Sequence, residues 1–225
     1  MKSHFELSPA QYERRRQGHL HERRFELVAE VVDSIASAGS LVVEIGCGPG
    51  DLLARLGAGR PTLQFLGLDV DSGMVEYARR THGAENVEYR RADIVDEPPG
   101  RAASVVFGID VLHHVADLEA HVAAVSSLLA PGGCWLAIEP NPRNPYIWLS
   151  QERMKRAGLD EVNFPRKRFE AAVGEAPLRI ERRWTAFAVP GRFHHVPDVV
   201  GRAEKWVERA PVVGGSVVYR LSREP

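Results

Sequence analysis

The stretch LVVEIGCGPGD (residues 41–51) opens as a buried strand and runs at once into glycines at alternate positions, Gly46, Gly48 and Gly50. Glycines let a backbone turn sharply and approach a ligand closely. A helix follows, with Asp51 as a candidate cap and Leu52, Leu53 and Leu56 as its apolar face. The first turn of such a helix offers unpaired N–H groups to whatever lies over the loop. The spacing is G-x-G-x-G, not the G-x-G-x-x-G of dinucleotide sites. Asp51 stands where that pattern has its third glycine, and Glu44 lies two residues ahead of the loop. Two carboxylates beside the loop would repel a pyrophosphate. They suit a ligand that carries an ammonium or sulfonium group.

Working outward, strands and helices alternate. A helix is expected over 9–38, with Ser8 and Pro9 as its N-cap and first residue. Further strands are read at 62–70, 86–94, 103–110, 134–140, 178–189 and 216–221, with helices between them at 72–80, 117–129, 166–176 and 196–210. Strands alternating with helices give βαβ units and a parallel sheet, so the class is α/β, doubly wound. Asp69 ends the second strand and Asp93 the third. With Glu44, they put an acid at the carboxyl end of three consecutive strands, the edge where open α/β sheets bind ligands. An acid in the place of Asp69 can accept hydrogen bonds from both ribose hydroxyls, and one in the place of Asp93 can accept from an adenine amine.

EIGCGPG (44–50), GLDVDSGMVEYAR (67–79), RRADIVD (90–96), DVLHHVAD (110–117) and LLAPGGCWLAIEPN (128–141) follow in one order and spacing. In this the chain resembles the class I S-adenosylmethionine-dependent methyltransferases, over roughly residues 20–140. The resemblance implies a Rossmann-like sheet of seven strands with the last antiparallel, and S-adenosyl-L-methionine as cofactor. It places Glu44, Gly46, Cys47, Gly48 and Gly50 against the methionine part of the cofactor and Asp69 on the ribose. Val70 and Met74 would lie nearby, with Ala92, Asp93 and Ile94 around the adenine. Ile109 and Asp110 would stand close to the reactive methyl group. Cys47 reads as a small loop residue without a base beside it, not as a nucleophile.

The expected organisation is one domain: a helical cap over 1–40, a cofactor-binding core over 41–140 and a substrate side over 141–225. Two lid insertions, 141–164 and 190–212, follow strands five and six. The acceptor is expected to be a small molecule methylated on oxygen or nitrogen. Arg143, Tyr146 and Trp148 are its candidate contacts, and His114 and His195 the candidate bases. His19 and His21 are read as solvent-facing, and Tyr12 as a lid residue.

The net charge is −1, but residues 1–140 carry −7 and residues 141–225 carry +6. An anionic acceptor fits that basic half, whereas nucleic acid finds no global basic excess. Two cysteines form no disulfide framework, and no Cys/His set has zinc spacing. No apolar run is long enough for a membrane span, and the expected compartment is the cytoplasm. The glycine spacing argues against a nicotinamide enzyme, and the basic late segment against an aminopropyl transferase. The alternative from another class is a non-enzymatic S-adenosylmethionine-binding or partner-binding protein on the same fold.

Overall fold

A computed structural model describes residues 7–156, 158, 163–191 and 193–224. Its seven strands are β1 (Leu41–Ile45), β2 (Gln64–Asp69), β3 (Val87–Arg91), β4 (Ala103–Ile109), β5 (Leu129–Pro140), β6 (Leu178–Ala186) and β7 (Ser216–Arg223). They form one sheet in the order β3-β2-β1-β4-β5-β7-β6. β1 to β5 pair in parallel, and β7 runs antiparallel between β5 and β6. The chain starts at β1, moves outward to β3 and returns to β4. The order therefore reverses between β1 and β4, which opens a crevice at their carboxyl ends.

Helices α2 (His19–Ile35), α3 (Asp51–Ala58) and α4 (Ser72–His82) cover one face, where Val28, Leu53 and Val75 meet Val42 and Phe107. Helices α5 (Leu118–Leu128) and α7 (Arg166–Gly174) cover the other, where Val122 and Phe169 meet Val43, Trp135 and Tyr219. Phe169 packs edge-on to Trp135 and Tyr219, with ring centroids 5.5 and 5.0 Å away. Alternation along β1 sends Leu41, Val43 and Ile45 to the second face and Val42 to the first. Both faces are dry, so the central strands read as continuous apolar runs.

The helix expected over 9–38 is two helices. α1 (Pro9–Arg15) starts with a capping box between Ser8 and Gln11, and the chain then breaks before α2. Gly18 causes the break. Its φ is +106°, and a Cβ there would lie 2.8 Å from the His194 backbone. The other expected elements are found with shifted ends. β5 begins at Leu129, five residues early, and β6 stops at Ala186. The two lid insertions contain α6 (Pro145–Arg156) and α8 (Asp198–Val207).

Candidate active site

The glycine loop closes over the end of β1. Gly46 and Cys47 donate their N–H groups to the Leu68 carbonyl of β2, and Gly48 donates to Asp69 Oδ2 at 2.8 Å. Asp69 Oδ1 accepts from the Asp71 N–H at 2.9 Å. Asp69 thus ties the loop to β2, while Asp71, not Asp69, caps α4. Gly48 has φ +54°, and a Cβ there would meet only Arg16 Nη1 at 3.4 Å and Tyr12 Cε1 at 3.6 Å. The position needs glycine for its backbone, and the space above it is roofed by α1. Glu13 fastens that roof, accepting from Tyr77 Oη at 2.6 Å and lying 3.2 Å from His82 Nε2.

Acids crowd beneath the roof. Glu44 Oε2, Asp51 Oδ1 and Asp110 Oδ1 are buried, with no hydrogen-bond partner. Burial pushes the carboxyls of Glu44, Asp51 and Asp69 above their ordinary range. Arg16 acts against this at Glu44 and Asp51. Its own guanidinium is opposed by burial, but the fields of Tyr12, Asp51, Glu44 and Asp110 outweigh that and raise its pKa. The cradle therefore asks for positive charge and hydrogen-bond donors, and it fits a ligand bearing an ammonium or sulfonium group. It does not fit a pyrophosphate. Cys47 is 1% exposed, and burial raises its thiol pKa far above the ordinary value. It is a packed core thiol, not a nucleophile.

At the ends of β2 and β3, Val70, Ala92 and Asp93 line one cavity of about 240 Å³ together with Arg91, Asp96 and Glu97. Met74 is half-buried on the first turn of α4. Ile94 is not at this cavity: its side chain is 2% exposed and packs in the core beside Leu66 and Leu68.

β4 ends at Ile109, buried in the core, and Asp110 follows with φ +58°. Its Oδ2 lies 2.9 Å from Arg24 Nη2. Burial alone would raise the Asp110 pKa, but Arg24, His113 and Arg16 overcome it and hold the carboxyl below its ordinary range. The next turn is organised by Glu139 of β5. Its Oε1 accepts the N–H groups of Val111 and Leu112 at 2.9 and 2.8 Å, and Oε2 lies 2.7 Å from His113 Nδ1. His113 is thereby a buried structural histidine. His114 is exposed and its ring lies 4.0 Å from that of His113.

Beside Asp110 lies a second cavity, of about 180 Å³, between the two lids. Arg24 and Asp110 line it, and Leu20, Tyr146, Ile147, Phe187 and Val189 make its walls. Of the three expected acceptor contacts only Tyr146 is there. Arg143 and Trp148 are exposed and outside the lining, as is His195. Asn141 and Asn144 lock the lids together. Asn141 donates to the Pro211 and Gly214 carbonyls, and Asn144 to that of Val213, at 2.6–2.8 Å.

Arg16 and Arg24 join the site without a motif to mark them, and His21, expected to face solvent, is drawn towards it. His21 is half-buried, and burial, Arg24 and Arg16 drive its pKa down to about 3 despite Asp110. His19 is not solvent-facing either; its Nε2 lies 2.7 Å from Glu204 of α8. The signal available was the run RRRQGHLHERR (14–24), whose cations exceed what a solvated helix face needs.

Residues 43–135 match the family model described as a methyltransferase domain. A fatty-acid O-methyltransferase of Mycolicibacterium smegmatis is 28% identical over 106 residues, 47% of this chain and 39% of that protein. A trans-aconitate 2-methyltransferase of Methylobacterium nodulans is 34% identical over 103 residues, 46% of this chain and 39% of that protein. The chain thus spans about two fifths of the length of these relatives. The N-methyltransferase NodS of Bradyrhizobium japonicum, solved with S-adenosylhomocysteine, superposes with a TM-score of 0.64 at 16% identity, covering 94% of this chain and 91% of NodS. The sheet order, the antiparallel last strand and the superposition define the class: the chain has the class I methyltransferase fold, and its residues 43–135 are similar to a methyltransferase domain. Among the described residues no helix is long and apolar enough to cross a membrane.

Proposed function

We propose that this chain binds S-adenosyl-L-methionine at the β1–β3 edge and methylates an oxygen or nitrogen of a small molecule held in the Arg24–Asp110 cavity. The observation that carries the reading is the set of unpartnered buried oxygens, on Glu44, Asp51 and Asp110, around the glycine cradle. In this reading residues 1–40 roof the site, 41–140 hold the cofactor and 141–225 shape the acceptor side. Glu44 and the Gly46–Gly50 loop face the cationic end, Asp69 the ribose, and Val70, Met74, Ala92 and Asp93 the adenine end. The cofactor, when bound, supplies a methyl group already made electrophilic by its sulfonium. The protein's remaining task is alignment and exclusion of water, and well-oriented proximity contributes ~7–11 kcal/mol.

The acceptor reading supported best is a carboxylate on a partly apolar molecule. Arg24 Nε is buried without a partner, beside apolar walls. Two relatives carry names whose acceptors, a fatty acid and trans-aconitate, are carboxylic acids. A carboxylate attacks through its own lone pair and requires no proton removal. For a hydroxyl acceptor, the neutral imidazole of His21, which feels the charges of Arg24 and Asp110, is a third candidate base beside His114 and His195. The cytoplasm is the proposed compartment, where two buried free cysteines stay reduced.

The test uses methyl-labelled S-adenosylmethionine with fatty acids, di- and tricarboxylates, phenols and amines. Products of carboxylate methylation release volatile labelled methanol in mild alkali; phenol ethers and methylamines do not. Alkali-stable label alone would refute the carboxylate reading. No transfer to any acceptor despite cofactor binding would favour the non-catalytic alternative.

A further inference from the structure

α8 divides into three sectors. With 3.6 residues per turn, Glu204 and Glu208 lie on one side, and that side is turned into the protein. Glu204 lies within 2.7 Å of His19 Nε2, accepts from Arg23 Nη1 at 2.5 Å and from the Val189 N–H at 2.8 Å. Glu208 accepts from Arg23 Nη2 at 2.9 Å and from the Phe187 N–H at 2.8 Å. Two acids that a sequence reading would place in solvent are thus spent on holding the helix down. The outer side keeps an apolar stripe of Val199, Ala203 and Trp206, with Val200 and Val207 along one margin. Arg202, Lys205 and Arg209 run along the other, all of them exposed. Trp206 is 80% exposed and Val199 65%. The one exposed acid of the helix is Asp198 in its first turn.

We propose that this face of α8 docks on an anionic lipid surface. Burial of the helix's glutamates leaves its outward charge almost purely positive, although the whole chain is at −1. An apolar stripe flanked by Arg and Lys, with a tryptophan at the boundary, is the pattern of a helix lying in the plane of a bilayer interface. The face is the convex outside of a helix. It offers side chains that insert and cations that meet phosphate, and no cleft for a peptide. The inference concerns a surface, and its failure would leave the methyl-transfer reading standing.

The experiment is sedimentation of the full chain with vesicles of phosphatidylcholine alone, or with a third of the lipid replaced by phosphatidylglycerol. Three basic side chains at an anionic surface give on the order of a hundredfold preference for the charged vesicles. A Val199→Ser, Trp206→Ser variant should bind them at least about tenfold more weakly with unchanged thermal unfolding, since both residues are exposed. An Arg202→Glu, Lys205→Glu variant should lose the preference for charge. Wild type that ignores both vesicles overturns the proposal, as does wild-type-like binding by both variants. Capture on soluble polyglutamate without vesicle binding would assign the face to an acidic protein instead. A dimer in gel filtration that Trp206→Ser dissociates, again without vesicle binding, would assign it to a second copy.

Discussion

Replacing Glu139 by alanine should loosen the turn after β4 and cost about 3–5 kcal/mol of stability. Glu139 is fully buried, and its carboxylate accepts from two backbone N–H groups at 2.8–2.9 Å and pairs with His113 Nδ1 at 2.7 Å. A third N–H, that of His113, is 3.4 Å away and contributes little. Alanine takes this acceptor from the Val111 and Leu112 N–H groups and this partner from His113 Nδ1. Each unmet donor costs ~1–3 kcal/mol, or ~3–9 kcal/mol if the three costs simply added. Because the costs overlap, the lower total is the appropriate one. In a chain of this size each kcal/mol moves the melting temperature by ~2–4 °C, so a loss of roughly 6–20 °C is expected. Glu139→Gln keeps one acceptor oxygen and should lose less than half as much. The assay is urea unfolding of both variants, followed by calorimetry with S-adenosylhomocysteine. Because the turn carries Asp110, affinity should fall with stability. A Glu139→Ala variant within ~1 kcal/mol of wild type would refute the view that this carboxylate holds the turn.

Gly48→Val should weaken S-adenosylhomocysteine binding by more than about tenfold in calorimetry. Its φ of +54° disfavours a β-branched residue by ~1–2 kcal/mol, and the new side chain would enter the roofed cradle; unchanged affinity would mean that no ligand enters there. Glu44→Gln should stabilise the ligand-free protein at neutral and alkaline pH while weakening cofactor binding. Burial raises the Glu44 pKa, so the fold prefers the protonated carboxyl, and that contribution is lost as pH rises through the raised value. Thermal melts should therefore converge in acid, below the ordinary carboxyl value of 4.5, and a variant less stable at every pH would contradict the sign. Phe169→Ala should cost ~3–5 kcal/mol in urea unfolding, since its ring is fully buried between Trp135 and Tyr219; a loss under 1 kcal/mol would mean that the second core repacks freely.

The parts legible in the sequence are those whose cause is local. The strand LVVEI, its glycine turn and the acids of the next two strand ends are set by short-range periodicity and by φ preferences, and the structure brings them to one edge. The break at Gly18 was not legible, because its reason is the His194 backbone, far along the chain. Likewise, no residue near Glu204 and Glu208 in the sequence marks them as inward-facing. Only the fold shows that Arg23 and His19, some 180 residues earlier, turn them inward. The role of Glu139 depends on β4 lying beside β5, a pairing between distant segments. Arg143 and Trp148 have the chemistry of acceptor contacts just after β5, but capping of α6 by Asn144 leaves them exposed.

The acidic glycine cradle is proposed as a site for S-adenosylmethionine. Calorimetric titration of the purified chain with S-adenosylhomocysteine, alongside Asp69→Ala and with NAD as the control ligand, tests it most directly. One-to-one binding of S-adenosylhomocysteine is expected, with an affinity lowered at least about tenfold in the folded Asp69→Ala variant and no heat from NAD. Binding of NAD with none of S-adenosylhomocysteine would contradict it.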